Sequence, residues 1–353
     1  MTKLDDTLAR VGLLDQKAME AARHRQDSLT KPPGSLGRLE QLAIHVAGIQ
    51  AQARPQVAEK AIVVMAGDHG VVAQGVTGYP QAVTAQMVAN FVAGGAAINV
   101  LARHIGARVI VVDMGVASDV GAAGQVVVKK VAPGTRDLAK GPAMSPEQAR
   151  RSLEAGIEVF EAELSKGLHL VGAGDMGIGN TTPAAAIVAA ITRLSPERVT
   201  GRGTGIDDRR FASKVAVVQR ALALNRPDPD DPLDVLSKVG GFEIGGLAGL
   251  MVAAAAHRVP VLIDGLISGA AALLAAGLQP KVKHFLIAGH LSTEPGHQAA
   301  LAHIGLQPVL SLEMRLGEGT GAALAMGVVE AAVKALDEMV TFAEAGVSGV
   351  GED

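Results

Sequence analysis

Residues 61–71 read Ala-Ile-Val-Val-Met-Ala-Gly-Asp-His-Gly-Val, a short run of apolar side chains that ends in a glycine turn. The run predicts a buried strand. Similar runs recur along the chain, followed by glycine-rich turns and longer stretches with helical spacing. This alternation is typical of an α/β protein with a mostly parallel sheet covered by helices on both faces. The predicted strands are residues 61–65, 108–113, 168–171, 259–264, 284–288 and 308–312, with 126–131 as an extra strand or hairpin arm.

Helical spacing accompanies these strands and also fills the first 55 residues. There, Pro32 and Pro33 separate two helical patterns, because paired prolines cannot continue a helix. The turn at residues 31–38 is either a structural connection or a basic loop that faces a ligand. We predict a small helical lobe of residues 1–55, with the tail 338–353 as a candidate addition, and a large α/β domain of residues 56–337. The predicted helices are residues 5–25, 36–53, 81–103, 146–165, 183–194, 208–224, 242–257, 266–276 and 321–336, and 225–232 is a predicted surface loop.

Composition excludes several classes of function. The chain has 353 residues, of which 48% are hydrophobic and only 2% aromatic, and its net charge is −3. Few rings for base stacking and no excess of positive charge argue against nucleic-acid binding. The absence of cysteine excludes disulfides, thiolate catalysis and cysteine-based zinc sites. His290 and His297 are seven residues apart across a proline turn, which matches no standard metal-ligand spacing, so no metal site is predicted.

The beginning of the chain lacks the apolar segment of a signal peptide. The longest unbroken apolar run, residues 244–256, is shorter than the roughly 18 residues that span a bilayer. We therefore expect a cytoplasmic protein without a membrane span.

Residues 172–183 form the most informative glycine loop. Thr182 as N-cap and Pro183 as first helical residue predict a helix start whose free N–H groups attract an anion. Glycines at 172, 174 and 177 match Gly-x-Gly-x-x-Gly. A dinucleotide fold, however, starts its helix inside that motif and places an acidic residue at a strand end about 20 residues later. The sequence therefore favours phosphate binding over an NAD-dependent dehydrogenase, and a purely structural glycine loop remains an alternative.

A second glycine loop, Gly-Arg-Gly-Thr-Gly at residues 201–205, precedes a helix that carries Lys214. Two such loops and a lysine can hold one phosphate from two sides. The intervening Asp207 and Asp208 are interpreted as helix caps in preference to metal ligands. In the loop that follows the first predicted strand, Asp68 and His69 either stabilise the turn or contact a ligand.

Glu318 is the leading candidate for a general base. It lies between Gly317 and Gly319 in a loop that follows a predicted strand and precedes a predicted helix. Glycine neighbours leave its carboxylate open to a ligand, and loops of this kind lie at the carboxyl edge of an open α/β sheet. The alternative is an acidic residue that merely favours a helix N-terminus. In that case the protein would be a nucleotide-binding module without catalysis.

Five motifs occur along the chain in the order Lys31 to Gly37 (Lys-Pro-Pro-Gly-Ser-Leu-Gly), Gly67 to Val71, Met176 to Pro183, Asp264-Gly265 and Arg315 to Gly321. Together they resemble the nicotinate-nucleotide:dimethylbenzimidazole phosphoribosyltransferase family over essentially the whole chain. The resemblance implies a Rossmann-like parallel sheet, a small helical lobe and a homodimer. It implies transfer of phosphoribose from nicotinate mononucleotide to 5,6-dimethylbenzimidazole, which makes the lower-ligand nucleotide of cobalamin.

The resemblance also implies roles for single residues. Glu318 is the catalytic base, and Asp175 stands where some members carry glutamate. The implied phosphate contacts are Gly177, Gly179, Asn180, Thr181, Gly203, Thr204, Gly205, Lys214 and Ser292.

The chemistry agrees with these residues. The pyridinium of nicotinate mononucleotide leaves without help from an acid, whereas the attacking benzimidazole must lose an N–H proton, which Glu318 can accept. Attack from the opposite face inverts the anomeric carbon, and Asp175 can stabilise the positive charge that develops there. No cofactor is required. With so few aromatic residues, the flat base is expected to lie against aliphatic and methionine surfaces such as Leu316 and Met87. Tyr79, Gln86 and Gly317 are further candidate substrate-binding residues, and Tyr79 could instead cover the edge of the core.

Overall fold

The computed structural model describes residues 2–120, 125–203 and 205–348. Within them lies one six-stranded sheet of order β3-β2-β1-β4-β5-β6, in which every neighbouring pair is parallel. The α/β class and the parallel sheet are therefore as the alternation of patterns predicts. The strands are β1 (Lys60–Gly67), β2 (Arg108–Gly115), β3 (Val126–Val128), β4 (Leu170–Met176), β5 (Val261–Ile263) and β6 (Leu286–Ala288).

Helices cover both faces of this sheet and build the N-terminal region. The described α-helices are α1 (Lys3–Ala9), α2 (Gln16–Ser28), α3 (Arg38–Gln50), α4 (Val83–Ala93), α5 (Ala97–His104), α6 (Pro146–Leu164), α7 (Thr181–Thr192), α8 (Pro196–Val199), α9 (Asp208–Asn225), α10 (Pro232–Val239), α11 (Phe242–Ala256), α12 (Leu266–Leu278), α13 (Pro295–Ile304), α14 (Thr320–Glu338) and α15 (Phe342–Ala345). Two 3-10 helices, Gly70–Gln74 and Pro280–Phe285, complete the described elements.

Two strand predictions are wrong in detail. Residues 308–312 do not form a strand of the sheet, because only Leu310 makes an isolated parallel bridge, to His290. β4 continues past residue 171 to Met176, so Gly172 and Gly174 lie in a strand and not in a loop. A Cβ on Gly174 would be 2.5 Å from the carbonyl oxygen of Glu318. The glycine is thus needed for close approach of another segment, which a local pattern cannot show.

The observed helices differ from the predicted ones in two ways: some predicted helices are divided in two, and some observed helices were not predicted. The pattern at 5–25 is divided between α1 and α2, where Asp15 caps the second helix through the N–H of Ala18. The pattern at 81–103 is divided at Gly94, which adopts a left-handed conformation with φ 79°. No helix was predicted at α8, α10, α13 or α15, and the first three of these begin at a proline.

The C-terminal segment returns to the N-terminal helices. Arg25 donates hydrogen bonds to the carbonyl oxygens of Leu336, Asp337 and Met339 at the end of α14, and Thr341 forms an antiparallel bridge with Leu29. The C-terminal segment thus contacts α2 and the residue that follows it. The small lobe of residues 1–55 with the tail 338–353 stays a prediction, and residues 349–353 lie outside the described residues.

The turn at residues 31–38 is held by a buried ion pair. Lys31 Nζ lies 2.8 Å from Glu40 Oε1, which also accepts a hydrogen bond from Leu36 N. Of the two interpretations of this turn, the structural one fits these contacts.

By length and composition alone, the helical stretch Val83–His104 could cross a membrane, and a third of its apolar window is buried. The stretch consists of α4 and α5, which Gly94 separates. It is weak evidence for a membrane span.

The core on one face of the sheet depends on the close packing of α6 against α11. Nearly every residue of α11 is buried. A Cβ on Gly156 of α6 would overlap the carbonyl oxygen of Gly246, and a Cβ on Gly249 would overlap that of Leu153. Glycines on both helices therefore bring the two backbones into direct contact.

Replacement of Gly156 by alanine should lower the free energy of unfolding by about 3 kcal/mol, because the added methyl group meets backbone that cannot turn away. The free energy is measured by urea denaturation. Gly141→Ala is the control, since a Cβ there meets nothing within 4 Å, and its effect should stay below about 0.5 kcal/mol. Equal stability of the two variants would show that the helices can separate at little cost.

Candidate functional site

The candidate site lies where the connections of the sheet change direction. From β1 the chain proceeds outward through β2 and β3, and from β4 it proceeds to the other side through β5 and β6. Ligands of open α/β sheets bind at the carboxyl ends of the two strands that flank such a point. Here these ends are Gly67 of β1 and Met176 of β4, with Asp175 as the last residue but one of β4.

Glu318 is held over this edge in an unusual backbone conformation. Its φ is 62°, between Gly317 and Gly319 with φ of 87° and 88°, and left-handed conformations are uncommon for residues with a side chain. The carboxylate is buried and accepts a hydrogen bond from Ile98 N, 3.2 Å away, in the first turn of α5. Burial raises the pKa of Glu318 above its ordinary value, and the Ile98 N–H offsets part of this shift.

The helix that follows Glu318 is capped by another residue. Asp264, at the end of β5, accepts hydrogen bonds from the N–H groups of Gly319, Gly321 and Ala322 at 3.2, 2.6 and 3.2 Å. Glu318 makes no described hydrogen bond to α14, and its one described hydrogen bond satisfies an N–H in the first turn of α5. Its role as a base therefore stays a prediction. The sequence analysis did not include Asp264 among the site residues. Its position at a strand end before a glycine was the available signal.

Asp175 completes a group of three buried carboxyl groups. Asn180 Nδ2 donates a hydrogen bond to Asp175 Oδ2 at 2.9 Å, and Asp175 Oδ1 has no hydrogen-bond partner among the described residues. Burial raises the pKa of Asp175 well above its ordinary value, and the negative charge of Asp264 raises it further. Burial likewise raises the pKa of Asp264 to about 7, despite its three N–H donors. Ionisation of all three carboxyl groups at once is therefore unfavourable, because their negative charges would be close together and poorly solvated.

This arrangement predicts a pH dependence of stability. The pKa of Asp264 is about 7 in the folded protein, against an ordinary value of 3.8. Between pH 3.8 and about pH 7, the carboxyl group of Asp264 holds a proton in the folded state that it releases in the unfolded chain. The stability that Asp264 contributes is therefore complete below pH 3.8 and falls as the pH rises towards 7. The free energy of unfolding falls by at most about 1.4 kcal/mol per pH unit from this group. The free energy of unfolding of the wild type minus that of Asp264→Asn should therefore decrease from pH 5 to pH 7, and a constant difference would contradict the assignment.

The first glycine loop leads into α7 differently from the prediction. The helix begins at Thr181 with Asn180 at the N-cap position, two residues before the predicted start. Gly177 passes so close to the carbonyl oxygen of Gly67 that a side chain would overlap it, and Gly179 has φ 88°. Because Gly172 and Gly174 lie in β4, the Gly-x-Gly-x-x-Gly match is not the turn of a dinucleotide-binding fold.

Lys214 joins the two glycine loops. Its Nζ is buried and donates to Thr181 Oγ1 at 2.8 Å and to the carbonyl oxygen of Gly201 at 3.2 Å. Burial lowers the pKa of Lys214 to about 8. Gly203 and Gly205 have positive φ, whereas Thr204 lies outside the described residues. Most of the predicted phosphate contacts are thus brought together from segments far apart in sequence.

The remaining predicted contacts are placed less closely. Ser292 is buried, and its Oγ accepts a hydrogen bond from Glu294 N at 3.3 Å. Tyr79 and Leu316 are 53% and 58% exposed. Gln86 is exposed and Met87 half-buried on α4, one turn after Thr84, whose Oγ1 accepts a hydrogen bond from Ile178 N in the first glycine loop. Leu316 directly precedes Gly317 in the Glu318 loop, and contact of these four side chains with a bound base stays a prediction.

The other charged candidates have structural partners. Asp68 Oδ2 accepts a hydrogen bond from Ala117 N at 2.8 Å, and His69 Nε2 lies 2.9 Å from Glu243 Oε1 in the core. Asp207 caps α9. Asp208 pairs with Arg202. Across residues 2–120, 125–203 and 205–348, no cluster of three or more His, Asp or Glu side chains is arranged to hold a metal ion.

Comparisons with known proteins agree on one family. The family model described as phosphoribosyltransferase matches residues 11–347. The nicotinate-nucleotide–dimethylbenzimidazole phosphoribosyltransferase of Desulforudis audaxviator is 58% identical over the full length of both chains, and that of Chloroflexus aurantiacus is 58% identical over 99% of both. The crystal structure of CobT from Thermus thermophilus superposes with a TM-score of 0.91 at 48% identity, covering 94% of this chain and 99% of that one.

Proposed function

The chain belongs to the nicotinate-nucleotide–dimethylbenzimidazole phosphoribosyltransferase family and is thus a pentosyltransferase of cobalamin lower-ligand synthesis, and we propose a mechanism in which Glu318 is the general base. The substrates are nicotinate mononucleotide and 5,6-dimethylbenzimidazole. The observation that carries the proposal is the position of Glu318. Its carboxylate is buried at the carboxyl edge of the sheet and makes no described hydrogen bond to α14, the helix that follows it.

The reaction balances with the groups available. One nitrogen of 5,6-dimethylbenzimidazole attacks the anomeric carbon of nicotinate mononucleotide. The bond between this carbon and the pyridinium nitrogen breaks, and its electron pair leaves with nicotinate. Attack makes the N–H across the benzimidazole ring acidic, and Glu318 accepts that proton. The products are α-ribazole 5′-phosphate and nicotinate, and Glu318 then returns the proton to water.

The charge of the site supports this order of events. Asp175, Asp264 and Glu318 all have raised pKa values because they are buried together. A pyridinium cation bound beside them favours their ionised forms. Binding of nicotinate mononucleotide therefore ionises Glu318 when a base is needed, and it gives Asp175 the negative charge that stabilises a developing oxocarbenium ion.

The sugar phosphate is expected to lie at the start of α7. Thr181 and the second glycine loop meet at Lys214, and a helix N-terminus with free N–H groups favours an anion. This anchor leaves the anomeric carbon between the phosphate site and the three carboxyl groups. Attack from the face opposite to the pyridinium then inverts the β-nucleotide to the α-product.

The proposal is tested with purified protein, nicotinate mononucleotide and 5,6-dimethylbenzimidazole. Mass spectrometry should detect α-ribazole 5′-phosphate only when both substrates are present, and nuclear magnetic resonance should assign the α-configuration. A β-product would contradict direct displacement. Absence of any product would contradict the proposed function itself.

We also propose that the protein is a cytoplasmic homodimer. Apolar side chains remain exposed beside the site, including Tyr79, Leu312 and Leu316, and two thirds of the apolar window in Val83–His104 is not buried within the chain. A second copy can cover such surface. Light scattering that gives only the mass of one chain, 35.9 kDa, would contradict the dimer.

A further inference from the structure

Glu294 is a buried carboxylate that the proposed mechanism does not use. It is 6% exposed and occupies the N-cap position of α13, yet its side chain makes no capping hydrogen bond. Instead, Oε1 accepts a hydrogen bond from Gly203 N at 2.8 Å, in the second glycine loop. The side chain thus leaves its own helix to hold a loop 91 residues away.

The glycine loop is shaped around this carboxylate. A Cβ on Gly201 would overlap both oxygens of Glu294, so a side chain at position 201 would displace the carboxylate from its place beside the loop. Glu294 Oε2 has no hydrogen-bond partner among the described residues. A buried carboxylate without full hydrogen bonding is costly unless a nearby positive charge compensates it.

Lys214 supplies that charge from another side of the loop. Gly203 directs its N–H to Glu294, whereas a Cβ on Gly203 would be 3.0 Å from Thr181 Oγ1 and 3.2 Å from Lys214 Nζ. Lys214 Nζ also donates to the carbonyl oxygen of Gly201. The loop therefore lies between a carboxylate and an ammonium group, each bonded to its backbone.

Other charged groups around Lys214 have partners of their own. The Glu294 carboxylate raises the pKa of Lys214, against the larger lowering effect of burial. His297 on α13 is neutral near pH 7, because burial lowers its pKa to about 3. Four more charged groups near this loop or on packed elements are bonded as follows: Glu197 to Gln219, Asp234 to Lys238, Arg202 to Asp208, and Arg315 to the Gly203 carbonyl oxygen. Arg198 is exposed on α8.

We propose that Glu294 is a positioning residue for the phosphate of nicotinate mononucleotide, because it holds the second glycine loop in place against Lys214. The inference rests on the proposed function and adds a residue to its substrate-binding apparatus. Because Glu294 acts through the loop and the lysine, its loss affects binding of the sugar phosphate and leaves the chemical step at the anomeric carbon largely intact.

Glu294→Gln tests the charge, because glutamine keeps an acceptor for Gly203 N. The KM for nicotinate mononucleotide should rise on the order of 10-fold, as expected for loss of a charged hydrogen-bonding partner, while kcat stays within about 2-fold. Glu294→Ala removes the acceptor as well and should raise KM further. Glu197→Gln is the matched control, an exposed glutamate of α8 beside α9, and should leave KM unchanged.

A pH profile separates this role from a merely structural one. Without the carboxylate the pKa of Lys214 falls below about 8, so the alkaline decline of kcat/KM should move to lower pH in Glu294→Gln. Arginine does not titrate in this range. In a Lys214→Arg background, Glu294→Gln should therefore cause no such movement.

The outcomes separate this inference from the proposed function. A lower KM in Glu294→Gln would mean that the carboxylate competes with phosphate, and this would overturn the inference. An unchanged KM, or a loss confined to kcat, would also overturn it. In each of these cases, transfer by the wild type would still support the proposed function. If the wild type made no transfer product, titration with inorganic phosphate by calorimetry would still test Glu294. Weaker phosphate binding in Glu294→Gln supports the inference, and equal binding refutes it.

Discussion

Glu318→Gln should lower kcat for transfer from nicotinate mononucleotide to 5,6-dimethylbenzimidazole by about 100-fold or more, the usual contribution of a general base. Glutamine has nearly the same shape and can still accept the hydrogen bond from Ile98 N, so the strained loop is retained. It cannot accept the benzimidazole proton. Steady-state kinetics should show the loss in kcat, and the affinity for nicotinate mononucleotide, measured by calorimetry, should stay within a few-fold of the wild type.

The same loop contains a matched control. Glu313 also has a positive φ, of 55°, but its side chain is exposed. Glu313→Gln should keep wild-type turnover. If both variants were equally active, Glu318 would not be the base, and if both lost activity equally, the effect would belong to the charge or shape of the loop.

Lys214→Met should raise the KM for nicotinate mononucleotide by about 10-fold to 100-fold, because a charged hydrogen bond to the phosphate is lost. Methionine fills most of the same buried volume without the charge. The bonds of Nζ to Thr181 Oγ1 and the Gly201 carbonyl oxygen are also lost, so the two glycine loops are less firmly joined. Initial rates over a range of nicotinate mononucleotide concentrations measure the effect.

The pH dependence of this effect follows from the pKa of Lys214, about 8 in the buried site. The ammonium form binds phosphate and predominates below that pH, so wild-type affinity should fall as the pH rises through 8. The Lys214→Met variant should show no such decline. Arg220→Met is the control, because Arg220 is an exposed cation on the same helix. A similar loss in both variants would assign the effect to overall charge.

Local pattern was sufficient for most of the sheet. β1 and β2 are apolar, β-branched runs, and such segments are buried on both faces of a parallel sheet. The error at residues 308–312 arises because an apolar run can be extended without joining a ladder, and only Leu310 forms a bridge there. The extension of β4 through Gly172 and Gly174 was equally hidden, since their need for glycine comes from the approach of α14 and the Glu318 loop.

The candidate site was predicted only where its members carry a local signal. Glu318 between glycines, and the glycine loops near Thr181 and Gly203, are visible in the sequence. Asp264 and Glu294 were missed because each acts on a distant backbone segment, the start of α14 and the second glycine loop. The position of Asp264 at a strand end before a glycine was its one local signal, whereas a glutamate before a proline has no pattern that distinguishes it from an ordinary turn residue.

The sequence by itself determined the α/β class, the parallel sheet and the loops that carry the chemistry, because side-chain periodicity and glycine positions express local backbone preferences. Only the tertiary structure decided which charges meet. The pKa values of Asp175, Asp264 and Lys214 are shifted by burial and by neighbours from other strands and loops. Desolvation and Coulomb energy depend on distances in space, and folding sets those distances between residues that the sequence places far apart.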